Sequence, residues 1–134
     1  MPILLSPEDE FLSRLARGGL VDPEEWAQMA SDLPPEALAP ALARRFNATG
    51  ETRMLVEAAR LYLQAGLYYH AIEACSRAPR LKTMQAISAQ ALPHLRGEWA
   101  GEQRVGKLMD EAFLVIDLST GQVTRFPPLL PARG

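Results

Sequence analysis

Apolar residues recur three and four positions apart through most of this chain, the period of helices that bury one face. The first set, Phe11, Leu12 and Leu15, follows Ser6-Pro7-Glu8-Asp9-Glu10 and precedes Gly18-Gly19. Ser6 can accept a hydrogen bond from an orphan backbone N–H, Pro7 fits a first turn, and the acids complement the positive dipole end. The same signals open a second helix at Asp22-Pro23-Glu24-Glu25, whose stripe is Trp26, Met29, Ala30 and Leu33. A third is expected over residues 35–47, with Leu38, Ala41, Leu42 and Phe46 inward and Pro40 weakening its first turns. Further helices are predicted over residues 52–65, 67–78 and 83–97, ended by Gly66, Pro79 and Gly97. A last one, over residues 98–112, has an apolar face in Trp99, Val105, Leu108, Met109 and Ala112, although Gly101 and Gly106 lower its propensity.

The texture then changes. Phe113-Leu114-Val115-Ile116-Asp117 and Gln122-Val123-Thr124-Arg125-Phe126 are rich in β-branched and aromatic residues, and Leu118-Ser119-Thr120-Gly121 supplies turn chemistry between them. A β-hairpin over residues 113–126 is predicted. The proline-rich end, residues 127–134, is expected to be extended. The chain thus divides into a helical part (1–112), a hairpin (113–126) and a tail (127–134).

Within the helical part, residues 51–80 match residues 82–111 at a spacing of 31. The match pairs Thr52 with Thr83, Ala58 with Ala89, Leu61 with Leu92, Gly66 with Gly97, and Tyr68 with Trp99. The stretch Tyr62, Gly66, Tyr68, Ala71 and Ala78 resembles a tetratricopeptide repeat. That family places Tyr in the first helix, Gly and then an aromatic at the turn, and small residues where the helices approach. The second copy keeps Gly97 and Trp99 but carries Glu102 in a small-residue place, so it reads as degenerate. The resemblance implies a mainly α fold of six or seven short antiparallel helices, stacked as right-handed hairpins around a core at 51–112. It also implies a non-catalytic role, binding a peptide or protein through a helical groove as an adaptor, scaffold, chaperone or regulatory subunit.

The first helices of such repeats line the groove, which points to Arg53, Arg60 and Gln64 as partner-binding residues. Tyr69, off the apolar stripe, is expected to join them on the solvent side. Two arginines there would favour an acidic or C-terminal carboxylate partner. The tail contains Pro128-Leu129-Leu130-Pro131-Ala132-Arg133, a P-x-x-P-x-R pattern. It is expected to pack on its own domain, to serve as a ligand, or to enter the groove of a second copy and form a homodimer.

Composition narrows these readings. The 134 residues are 48% hydrophobic and 22% charged, the balance of one globular domain. A net charge of −2 gives no general attraction to nucleic acid or acidic lipid. One cysteine, no basic-then-apolar leader and no long apolar run point to the cytoplasm.

Candidate chemistry is sparse. Cys75 and His70 lie five residues apart, roughly 140° around a helix, and do not aim at one atom. Cys75 also continues the apolar stripe, so an inert thiol is expected, and no cofactor or metal is predicted. The acidic clusters at helix starts are explained by the dipole. Arg44-Arg45 within the N-terminal helices supports an alternative, a small DNA-binding regulator, although Pro40 and the surrounding acids weigh against it.

Overall fold

The structure is a computed structural model and describes residues 6–127. Six helices are followed by a three-stranded sheet among these residues: α1 (Pro7–Ala16), α2 (Pro23–Asp32), α3 (Pro35–Thr49), α4 (Thr52–Gln64), α5 (Tyr68–Ser76), α6 (Lys82–Glu98), then β1 (Arg104–Leu108), β2 (Phe113–Asp117) and β3 (Val123–Phe126). The mainly α fold with a C-terminal β-hairpin is therefore as expected. The tail motif at residues 128–134 lies outside the described residues.

Local signals set the early boundaries. Ser6 accepts a hydrogen bond from the Asp9 amide at 3.1 Å, and Asp22 from the Glu24 amide at 2.8 Å, each satisfying an orphan helix donor. Gly66, with φ at +77°, makes the turn between α4 and α5 in the left-handed region that a side chain would strain. From α3 onward consecutive helices pack pairwise, and α1 packs on α3. Leu55, Ala58 and Ala59 of α4 are fully buried, as are Phe11 of α1, Ala39 of α3, Ala71 of α5 and Met84 of α6. The small residues let neighbouring helix axes come close.

Two expectations are corrected. No helix spans 98–112: α6 ends at Glu98, the chain turns through Gly101 at φ +88°, and β1 follows. Gly97 is not a turn residue either, since α6 runs through it and a side chain there would meet open space. The second copy of the repeat thus begins as helix and finishes as strand. Val105 explains why. It pairs with Ile116, which pairs with Val123, and the three lie on the inner face of the sheet with Leu114. β1 buries Val105 and exposes its other four residues, so pairing with β2 prevails over a weak helical period broken by two glycines.

The inner sheet face packs on Ile72 of α5 and on Ala91, Leu92 and Leu95 of α6, making a second core. The sheet thereby covers the flank of α5 and α6 on which the expected helix over residues 98–112 does not form. Arg96 of α6 ties down the β2–β3 turn, donating to the Leu118 carbonyl at 2.5 Å. Asp117 organises that turn by accepting from the Ser119 amide, the Ser119 hydroxyl and the Thr120 amide. On the outer face Leu108, Phe113 and Phe126 stand in register and are exposed.

One charged residue is buried among the described residues, Glu73 of α5. Arg77 grips its carboxylate in a fork, with Nε at 2.7 Å from Oε2 and Nη2 on Oε1. Arg77 also donates to Asn47 of α3 at 3.1 Å, and Arg125 of β3 approaches Glu73 at 3.9 Å. Helices α3 and α5 and the sheet are joined at this point.

Ala71→Leu should overpack the α4–α5 pair and lower stability by about 1–3 kcal/mol. An unchanged denaturation midpoint would show that Ala71 is not a close-packing position. Glu73→Ala, which strands a buried guanidinium, should cost about 3–5 kcal/mol by the same measurement, whereas Glu57→Ala on the surface should cost under about 1 kcal/mol.

Candidate functional site

A cleft of about 500 Å³ opens between α2 and α4, with Leu15, Val21, Trp26 and Met54 on its apolar walls. Arg45, Glu51, Arg53 and Glu57 form its charged border. Arg53, with a side chain 82% exposed, has a single long ion pair to Glu51 at 3.9 Å and is available to an incoming group.

Arg60 and Gln64 continue the exposed row of α4 seven and eleven residues beyond Arg53, so all three share one face. Neither lines the cleft, and Arg60 is paired with Glu57 at 2.6 Å. Tyr69 does not join this row. It is half-buried against the second core, its hydroxyl accepts from Trp99 Nε1 at 2.5 Å, and Lys107 Nζ sits 5.0 Å from its ring centroid. The expectation that Tyr69 faces solvent with the arginines is thus corrected: the strand that replaced a helix brings Lys107 over it.

The residues of the repeat pattern are placed as follows. Tyr62 and Ala71 are buried, Ala78 is partly buried, and Gly66 makes the turn. Tyr68 stacks on His94 with ring centroids 4.0 Å apart, so the aromatic at the turn bridges α5 to α6. Trp99 remains 42% exposed beside Tyr69.

Sequence reasoning missed the other wall of the cleft. Trp26 and Val21 belong to α2 and the loop before it, and α2 buries no residue fully. Its partly buried Trp26, Met29 and Ala30 rest on the first core, Trp26 with its ring centroid 6.2 Å from that of Phe11, and a two-pronged ion pair from Arg14 to Glu25 at 2.8 and 2.7 Å ties it to α1. A helix capped and amphipathic yet poorly buried is a signal that sequence contains, but the groove it forms depends on where α1 places it. The hydrogen bonds from Arg14 hold Glu25 below its ordinary value of 4.5, against desolvation and the nearby charge of Asp22.

Other candidates are accounted for by structure. Arg45 of the alternative DNA-binding pair turns inward, donating to the Gly19 carbonyl at 2.8 Å and to that of Leu15, and pairs with Glu51 at 3.7 Å. Cys75 is buried, and burial pushes its thiol up to about 12, so it is a poor nucleophile near neutrality. No helix among the described residues is long and apolar enough to cross a membrane. No protein-family model matches the chain, and neither a curated protein nor a solved structure matches it.

The Arg14–Glu25 link makes α2 acid-sensitive. Because the folded pKa of Glu25 is depressed, the link is complete above about pH 4.5 and is lost as pH falls through the lower folded value. In a Trp99→Phe background, Trp26 fluorescence should report this release before global unfolding, and Glu25→Gln should show the released signal at neutral pH. Coincidence of the Trp26 change with the far-ultraviolet circular dichroism transition in both proteins would refute it.

Proposed function

We propose that this chain is a non-catalytic protein-interaction module that holds a segment of a partner protein in the cleft between α2 and α4. The observation that carries the reading is the cleft itself: an apolar wall with a tryptophan-bearing helix on one side, and on the border Arg53, exposed and held only by a long ion pair to Glu51. Tryptophan and arginine are the residues that most often dominate binding energy at protein interfaces. The apolar walls suit a single large aliphatic or aromatic side chain of the partner, and Arg53 suits a carboxylate next to it.

The tetratricopeptide-like pattern supports the same role. Its groove-lining helix would be α4, and the exposed row Arg53, Arg60 and Gln64 lengthens the surface beyond the cleft. An adaptor or regulatory subunit of the cytoplasm is the form of activity proposed.

A photo-crosslinking residue at position 57, introduced in the native cell, tests this. One or a few discrete partner proteins should be captured, and Arg53→Glu should reduce their yield about tenfold or more. Capture unaffected by Arg53→Glu and by Trp26→Ala together would overturn the assignment of this cleft.

A further inference from the structure

A second, smaller cleft of about 230 Å³ lies on the opposite side of α4, between α3, α5 and the β1–β2 turn. Its floor holds Tyr62, which is only 7% exposed. The Tyr62 hydroxyl makes no hydrogen bond among the described residues, although each fully enclosed side-chain polar atom there has a partner. It therefore opens into the cleft. No protein group takes the hydroxyl's proton, so an acceptor atom of a ligand in the cleft would meet an unengaged donor. Burial pushes its pKa up to about 12, which keeps the proton in place.

The two walls of the cleft differ in charge. On the helical side stand Tyr62, Arg44 and His70, the His70 ring 5.2 Å from that of Tyr62. Arg44 has no ion pair among the described residues. Glu73 and Arg77, also at the floor, already satisfy each other. On the turn side stand Asp110 and Glu111, and neither carboxylate is paired with a cation among the described residues. One wall thus offers donors and positive charge, the other two carboxylates.

We propose that this cleft binds a small zwitterion of the free amino acid class, its carboxylate on Tyr62 and Arg44 and its ammonium on Asp110 and Glu111. The volume falls below the roughly 300–1,000 Å³ of pockets that hold drug-sized ligands, which limits the body between the two charges to a few atoms. The site is independent of the α2–α4 cleft and of the protein-binding role.

Isothermal titration of the full chain with glycine, β-alanine and 4-aminobutanoate, alongside acetate and methylammonium, tests the proposal. At least one of the three zwitterions should bind saturably, and acetate and methylammonium should each bind about ten- to a hundredfold more weakly. Tyr62→Phe, which keeps the buried ring, and Arg44→Ala, on the surface, should each weaken the zwitterion while leaving the melting curve in place. Absence of saturable binding by any zwitterion would overturn the proposal. So would acetate binding as tightly as the best zwitterion, or affinity unchanged in both variants.

Discussion

The carboxylate of Glu73 is the point at which the two halves of this molecule are joined. A charge buried to this degree persists only if its lone pairs are met, and the fork of Arg77 meets them. Burial acts to lower the Arg77 pKa, yet its hydrogen bonds to Glu73 and the charges of Glu73 and Glu111 together raise it above its ordinary value. Arg77 then reaches Asn47 on α3, and Arg125 reaches Glu73 from β3. The network therefore fixes where the sheet sits on the helices, a task that apolar packing alone performs with less specificity.

That placement closes the helical stack. The apolar flank of α5 and α6 is covered by the inner face of a three-stranded sheet, with Leu114 and Ile116 fully buried against it. The outer face keeps Leu108, Phe113 and Phe126 in contact with solvent. At the other end, α1 packs firmly on α3 through Phe11 and Leu15, while α2 rests on the same core through partly buried Trp26, Met29 and Ala30 and is tied to α1 by the Arg14–Glu25 ion pair. Strength of attachment thus falls from the centre of the chain toward α2, and the larger cleft lies beside the least tightly held helix.

Much of the helical architecture was legible in residue order because its causes are local. Caps at Ser6 and Asp22, the left-handed turn at Gly66 and the stripes of α4 and α5 depend on neighbours a few positions away. The candidate site was legible in part. That Arg53, Arg60 and Gln64 share one exposed face of α4 follows from helical spacing, but which of them borders a cleft depends on where α2 packs. Tyr69 was misplaced because its cover, Lys107, comes from a strand at a distance in sequence.

Sequence by itself determined the six helices, the hairpin of β2 and β3, the burial of Cys75 and the small-residue contacts of the α4–α5 pair. Tertiary structure decided the fate of residues 98–112. Their apolar residues fit a helix with one face, but also a strand with Val105 inward, and two glycines left the local preference weak. Pairing with β2 settled the choice, because β1 gains a full ladder of backbone hydrogen bonds and places Val105 beside Ile116 over α5 and α6. Local propensity differs by about tenths of a kilocalorie per residue, and long-range pairing with β2 that buries Val105 outweighs it.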